Sequence, residues 1–421
     1  MKPMKPMKQM SCEKSIDSSL LLYLQGYNFI QKRCNRYQSD VFETRILCQK
    51  VICLSGEKAA KVFYDNNYFK RKGAAPKRIQ KSLFGQQGVQ GLDGAAHVHR
   101  KQMFMSIMTP QNLELLKQLI AKQWEMNSKS WGKKDKIVLY DEVQEILCQV
   151  ACKWAGVPLR DYEIKQRSND LGKMVDAFGA VGPRYWQGKC ARKRTEKWIK
   201  DIICRIRSNQ LSPKSDSAAF IIAWHYDLEG KLLNSQIAAV ELINILRPIV
   251  AIATYITFGA LAMHDYPETV RKLQLDTNDY TLMFVQEIRR YYPFAPFVGA
   301  IVKRKFVWKN YNFKKGTLVL FDIYGTNHDQ RLWRNPKKFY PERFEKWKEN
   351  AYDFVPQGGG DTFTGHRCAG EMVTIQIMKE SIHYLACNLN YKVPKQNLKY
   401  CLRRIPTLPK SRFIISNVKP K

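Results

Sequence analysis

The feature that most constrains this chain is the stretch Pro356-Gln-Gly-Gly-Gly-Asp-Thr-Phe-Thr-Gly-His-Arg-Cys-Ala-Gly370, which runs straight into an apolar helical pattern over Glu371–Leu389. A chain that turns through Gly358-Gly-Gly360 and then enters a helix brings backbone N–H groups and the positive end of the helix dipole onto Cys368. Those surroundings favour a thiolate, and a thiolate so placed is suited to hold a metal. A bare Cys-x-Gly also occurs as a structural cysteine after a turn, so the assignment rests on what accompanies it.

The 421 residues are 45% hydrophobic, enough for a large core in one big domain or in two to three ordinary ones, and no internal repeat is visible. The eleven cysteines are odd in number, irregularly spaced and not preceded by a signal peptide, which points to free thiols in a reducing cytoplasm. Cys148 and Cys152 share a helix face but have no further ligands beside them, and read as small core residues. The net charge of +33 gathers at Lys70-Arg-Lys72, Lys133-Lys134, Arg192-Lys-Arg194 and Lys314-Lys315. These clusters are dispersed and lack a nucleic-acid recognition motif, so they read as solvated surface and speak against a nucleic-acid partner. Residues 1–18 read as a flexible basic tail. The longest uncharged span, Pro248–Met263, is shorter than the roughly 20 residues that cross a bilayer, so no transmembrane segment is expected.

Helical periodicity covers Leu20–Arg33, Met105–Trp131, Val138–Ala155, Tyr162–Phe178, Thr195–Arg207, Ser235–His264, Thr281–Tyr292 and Glu371–Leu389. Strand-like runs are few: Arg45–Leu54, and Phe297–Ile323 with a turn at Tyr311-Asn-Phe-Lys-Lys-Gly316. Ser208–Ser217 is polar, contains Pro213 and reads as a surface connection. The pattern predicts a mainly α protein with a small β region, as a single domain over residues 1–421.

Glu287-Ile-Arg-Arg290 sets a carboxylate and a guanidinium on one helical face. It is followed by Asn327-His-Asp329, Leu332-Trp333, Pro336, Phe339, Pro341-Glu-Arg-Phe344 and then the Cys368 loop. In that order and at those distances, the three motifs resemble the Glu-x-x-Arg helix, the meander and the haem-ligand loop of the cytochrome P450 superfamily. The resemblance implies a cytochrome P450 fold with haem b buried between long helices and Cys368 as the axial thiolate on its iron. It also implies that Glu287, Arg290 and Arg343 form a buried structural charge network.

The loop departs from the general superfamily pattern, with Asp361 where an aromatic is usual and Thr364 where a glycine is usual. Gln357-Gly-Gly-Gly-Asp361 with His366-Arg-Cys-Ala-Gly-Glu371 is instead similar to a bacterial branch, the fatty-acid peroxygenases. The likeness continues at Leu83-Phe-Gly85, Asp93-Gly94, Trp154-Ala-Gly156 and Arg289-Arg-Tyr-Tyr-Pro-Phe294. The long helix lacks the acid–alcohol pair of an ordinary monooxygenase and reads Glu241-Leu-Ile-Asn-Ile-Leu-Arg-Pro-Ile-Val250. A guanidinium in so apolar a helix needs an anion to offset its desolvation, and Pro248 frees a backbone carbonyl and kinks the axis.

By this resemblance Arg247 sits over the iron and grips a fatty-acid carboxylate, a match for its planar fork. The bound carboxylate then serves as the general acid–base that hydrogen peroxide needs, with Arg247, Pro248 and Gln90 as the catalytic set. Long-chain fatty acids are hydroxylated at the α or β carbon, and no obligatory redox partner is required. Gln90 matches a position that is Gln in hydroxylating members and His in those that chiefly decarboxylate, which implies hydroxylation with only minor terminal alkene. The same carry-over gives Phe84, Val175 and Phe178 as lining of the acyl channel. Arg71, His97, Lys101 and His366 become partners of the haem propionates. Two other readings stay open: a conventional reductase-dependent monooxygenase, for which the basic surface would be a docking face, and a non-catalytic haem or fatty-acid sensor.

Overall fold

The computed structural model describes residues 9–421. Helices dominate, and one of them organises the rest. It runs from Ser235 to Ala251, breaks at Ile252 four residues after Pro248, and resumes over Ala253–Asp265. Taken as one rod, Ser235–Asp265 is the one helix among the described residues with the length and apolar character to cross a bilayer, longer than the uncharged run alone suggests. Protein covers it instead: 89% of its apolar window is buried, against helices Leu139–Ala155, Ile164–Asp176, Pro183–Arg207 and Tyr280–Tyr291. A helix apolar on all sides is stable when every side meets another element.

The main sheet has five strands, in spatial order Val41–Ile46, Gln49–Leu54, Leu318–Asp322, Phe297–Val302 and Phe69–Lys70. The pair Gln49–Leu54 and Leu318–Asp322 is parallel and the other pairs antiparallel. A three-stranded sheet joins Lys136–Val138, Ile414–Pro420 and Leu389–Lys392, and Phe306–Trp308 pairs with Tyr311–Phe313.

Several boundaries differ from the sequence-based expectation for identifiable reasons. The run Arg45–Leu54 is a hairpin, Val41–Ile46 with Gln49–Leu54, turning at Leu47 and Cys48 with positive φ of 51° and 60°. Neither residue signals such a turn; it is held from outside by Ser19 Oγ on Leu47 N–H and by the Asp17 carboxylate on Cys48 N–H. The expected helix Met105–Trp131 is two, Gly94–Ile107 and Pro110–Trp131, because Thr109 caps Asn112 N–H and Pro110 takes the first helical position. Gly94–Ile107 carries buried His97, Arg100 and Lys101 among its apolar residues, which blurs the helical pattern. The helix Leu20–Arg33 is divided at Gly26, Thr195–Arg207 begins as early as Pro183, and Glu371–Leu389 ends its regular helix at His383 before Leu389 opens a strand.

Residues 1–8 lie outside the described residues. The remainder of the expected tail is docked: Glu13 N–H donates to Glu43 O, Glu43 N–H to Ser11 O and Ser18 N–H to Arg45 O, with Ser18 fully buried. Strand edges accept such a segment because their N–H and C=O groups otherwise face water unpaired.

Candidate active site

One cavity of about 450 Å³ collects Cys368, Arg247, Pro248, Gln90, Phe84, Val175, Phe178, His97, Lys101 and His366. Its remaining wall is largely apolar, with Phe104, Trp154, Ile249, Ile252, Phe294 and Val298 among the lining. Arg71 is not part of that wall. It is buried beside it, with its guanidinium 4.3 Å from the Phe63 ring centroid and Nη1 donating to Gly299 O at 3.5 Å.

The Cys368 loop is shaped by glycine and by hydrogen bonds. Gly360 has φ +83°, and a Cβ on Gly359 would fall 2.7 Å from Ala351 O and 3.2 Å from the Tyr64 ring, so the glycine run lets Tyr64 pack against the loop. Cys368 N–H donates to Gln357 O at 3.0 Å, and helix Glu371–His383 begins immediately after. The Gly370 N–H and the Gln357 amide each favour the ionised sulfur and lower its pKa, as the loop geometry leads one to expect. The net effect on the free thiol is nevertheless opposite to the sequence-based expectation. Burial is the largest influence and raises its pKa above the ordinary thiol value, with Glu371 adding to it, while Gly370, Lys101 and Gln357 pull only part of the way back. Coordination deprotonates a thiol outright, so a bound metal ion would hold this sulfur as a thiolate against the effect of burial.

A second set of groups is rich in donors and poor in acceptors. The His97 and His366 rings lie 3.9 Å apart, and burial together with nearby Lys101 and Arg71 pushes their pKa values down, to about 4 and about 2. Arg71 itself is lowered to about 10 by burial. Lys101 donates to the carbonyls of Gly365 and Arg367, tying helix Gly94–Ile107 to the Cys368 loop. The nearby carboxylate, Asp93, is occupied by the N–H groups of Arg71 and Lys72 and stands 3.8 Å from His366. Two buried cations, Arg71 and Lys101, beside the neutral donors His97 and His366 fit the two propionates of a haem, and the sulfur fits its iron. The residues present therefore match the group.

The wall formed by helix Ser235–Ala251 also carries uncompensated positive charge. Arg247 is buried and donates through Nη1 to Leu83 O, and its guanidinium lies 5.8 Å from the Phe84 ring centroid. Among the described residues no carboxylate pairs with it. Burial and the neighbouring Arg192 lower its pKa to about 9, with the Cys368 sulfur opposing. Arg192 pairs with Glu196 at 2.6 Å and shares Leu83 O, yet its Nη2 is buried without a hydrogen-bond partner among the described residues. Gly85, φ +81°, makes this arrangement possible: a Cβ there would lie 2.2 Å from Arg192 Nη2.

Gln90 accepts from Asn244 Nδ2 at 3.2 Å, and Asn244 donates also to Glu241 at 3.0 Å. Glu241 is fully buried, pairs with Arg100 at 2.7 Å and accepts the Val89 N–H at 2.9 Å. Burial raises its pKa. The sequence reading passed over Asn244 and Glu241, although their spacing from Arg247, one and nearly two turns back on the same helix, was an available signal.

Glu287 accepts from Arg290 Nε and Nη2, both at 2.7 Å, from Tyr340 N–H at 2.8 Å, and faces Arg343 Nε at 3.0 Å. Arg290 adds bonds to the carbonyls of Asn327 and Pro336. A parallel network went unread in the sequence: buried Arg289 pairs with Glu371 and bonds to Gln357 at 2.8 Å, while Glu371 also pairs with Arg367 at 2.6 Å. The i,i+4 spacing of Arg367 and Glu371 was the one local hint.

A thiolate loop at a helix start, a charge network behind it and a long kinked helix across a buried cavity define the haem-thiolate class of fold. The family model for cytochrome P450 matches residues 268–414. A variant of cytochrome P450SP alpha (CYP152B1) is 46% identical, covers 96% of this chain and 100% of its own, and superposes with a TM-score of 0.94. Cytochrome P450EX alpha (CYP152N1), solved with myristic acid, is 43% identical over 98% of this chain and 100% of its own, TM-score 0.95. A variant of cytochrome P450 OleT in complex with arachidonic acid is 36% identical over 98% and 99%, TM-score 0.96. The chain belongs to the cytochrome P450 superfamily, in its CYP152 fatty-acid peroxygenase branch. The family implies haem with thiolate ligation, which agrees with the fit of Cys368 and the donor-rich cluster.

Proposed function

We propose that this chain hydroxylates long-chain fatty acids at the α or β carbon with hydrogen peroxide, gripping the substrate carboxylate on Arg247. Haem b held by Cys368 supplies the iron that activates peroxide. The observation that carries the reading is the unpaired, buried guanidinium of Arg247 on the wall of an apolar cavity that also contains Cys368. A buried charge left without a counter-ion is costly, and a fatty acid offers both the missing anion and a chain for the apolar wall. Myristic and arachidonic acids in the related structures support that substrate class.

Arg247 orients the carboxylate, and the carboxylate moves a proton from the near to the far oxygen of peroxide, the task that the absent acid–alcohol pair would otherwise perform. Pro248 removes one helix hydrogen bond beside it and so shapes the backbone at this point. Leu83 O, shared by Arg247 and Arg192, holds the two guanidinium groups against the Phe84 loop. Gln90 lies next to the same space on a loop anchored by Asn244 and Glu241 and, being unable to titrate, favours hydroxylation over loss of carbon dioxide. Phe84, Val175 and Phe178 would hold the acyl chain, and His97, Lys101 and His366, with Arg71 buried beside the cavity, would hold the propionates of the haem.

The deciding experiment supplies haem-loaded protein with a saturated fatty acid and hydrogen peroxide, with no reductase present. Turnover to 2- or 3-hydroxy acid is expected. Strict dependence on a reductase would replace this reading by the conventional monooxygenase, and no product under either condition would leave a sensor or binder.

A further inference from the structure

We propose that a series of tyrosine side chains, beginning with Tyr255 on the cavity wall and ending at half-buried Tyr400, carries electrons from the protein surface to the haem site and drains oxidising power that finds no C–H bond to attack. The proposal rests on the haem of the reading above and not on its fatty acid.

Tyr255 sits on helix Ala253–Asp265, the continuation of the helix bearing Arg247, and lines the same cavity as Cys368. It is 1% exposed, and its hydroxyl has no hydrogen-bond partner among the described residues. A buried tyrosine ordinarily finds one, so an unpaired hydroxyl asks for a role beyond packing. Phenylalanine would keep the stack that this ring makes on Phe294, with centroids 4.4 Å apart and planes 14° from parallel, and would leave no polar atom unpaired. What the hydroxyl adds is ease of oxidation: a phenol gives up an electron and its proton far more readily than an unsubstituted ring.

The aromatic contacts lead away from the cavity. Tyr27 donates its hydroxyl to Phe294 O at 2.8 Å, and its ring centroid is 5.3 Å from that of Tyr324. The His328 ring bridges Tyr324 and Tyr291, at 4.2 and 6.1 Å; Tyr291 is 5.0 Å from Tyr292, and Tyr292 is 6.0 Å from Tyr400. Tyr255, Tyr27 and Tyr292 are buried, whereas Tyr324, Tyr291 and Tyr400 are partly open to water. Burial raises the pKa of Tyr255, Tyr27 and Tyr324, so each stays a protonated phenol. Tyr64 also lines the cavity but starts no such series, because its aromatic neighbours are Phe63 and Phe321.

The electron count closes with an external one-electron reductant, a small phenol or a metal cyanide complex. Reducing one hydrogen peroxide to two waters at the haem site consumes two electrons and two protons. Each electron is drawn from Tyr255 and replaced along the series, until a partly open tyrosine is left as a neutral radical with its O–H proton passed to water. The reductant returns that electron, and water returns the proton. Two reductant molecules are thus oxidised per peroxide, and the two protons used at the iron come from solvent. Without the outlet, the same oxidising equivalents fall on the Cys368 sulfur and the porphyrin.

The test mixes haem-loaded protein with peroxyacetic acid, which carries its own acid group and needs no substrate carboxylate, in the absence of fatty acid. Freeze-quenched wild type should show the electron paramagnetic resonance signal of a tyrosyl radical. Tyr255→Phe should lose most of that signal and bleach its Soret band faster, and Tyr27→Phe, the next step outward, should repeat the loss; Tyr64→Phe should retain the signal. Ferrocyanide, too highly charged for the apolar cavity, should be oxidised to ferricyanide by wild type and far more slowly by Tyr255→Phe. An unchanged melting temperature and carbon monoxide spectrum in Tyr255→Phe would separate a lost path from a lost fold. No tyrosyl signal in wild type, equal signal and bleaching in Tyr255→Phe, or equal loss in Tyr64→Phe would overturn the proposal. A radical without fatty-acid hydroxylation would sink the enzymatic reading and leave the electron path standing, and hydroxylation without a radical would do the reverse.

Discussion

Buried arginines occur on two sides of the cavity and are treated in opposite ways. Behind the Cys368 loop, Arg290 and Arg343 converge on Glu287, and Arg289 and Arg367 on Glu371. Across the cavity, on helix Ser235–Ala251, Arg247 has a single carbonyl and no carboxylate among the described residues, while Arg192 on helix Pro183–Arg207 pairs with Glu196 but leaves its buried Nη2 without a partner among them. The paired arginines cross-link elements distant in sequence: the Glu287 cluster holds Asn327, Pro336 and Tyr340, and the Glu371 cluster holds Gln357. A neutralised interior charge locks a fold; an interior charge left open is a binding group waiting for an anion.

The largest effect that could break this contrast belongs to the locked side. Glu287→Ala strands two guanidinium groups in the interior and should cost about 3–5 kcal/mol in denaturant unfolding; a loss under about 1 kcal/mol would mean the network is ornamental. On the open side the expectation reverses. Arg247→Met should lower peroxide-driven turnover on the order of a hundredfold, while the melting temperature of the ligand-free protein holds or rises because an unpaired charge is replaced by an apolar chain. A melting temperature that falls as far as in Glu287→Ala would place Arg247 among the structural arginines.

Glu371→Gln should fall between, at about 1–3 kcal/mol, since Arg367 retains Glu349 at 3.0 Å and only Arg289 is left fully buried. Faster haem loss on dilution should accompany it, because the same cluster anchors the Cys368 loop through Gln357. The smallest energetic change sharpens the chemistry instead: Gln90→His should alter stability by no more than about 0.5 kcal/mol yet raise the share of terminal alkene, measured by product analysis. An unchanged product ratio would remove Gln90 from the partition.

Much of this was legible in the chain itself. The glycine run, the cysteine and the following helix are contiguous, so their geometry is local, and the Glu-x-x-Arg and meander motifs recur at fixed distances. The single arginine beside Pro248 stood out because an apolar helix gives a cation nothing to pair with. Other features were invisible for a shared reason. The hairpin at Leu47 is imposed by Asp17 and Ser19, the helix bearing His97 and Lys101 interrupts its apolar pattern with polar residues that are buried, and the anchoring of Gln90 depends on Asn244 and Glu241 more than a hundred positions away.

The sequence by itself determined the family of fold, the cysteine proposed as the ligand for iron and the apolar helix whose cation finds no carboxylate among the described residues, since each follows from residues adjacent in the chain or one helical turn apart. Only the tertiary structure decided which arginines are neutralised and which are not, and that the Cys368 thiol is held up by burial more than it is drawn down by its loop. Charge pairing and desolvation are sums over everything that packs within a few ångströms, and the neighbours that enter those sums come from all parts of the chain.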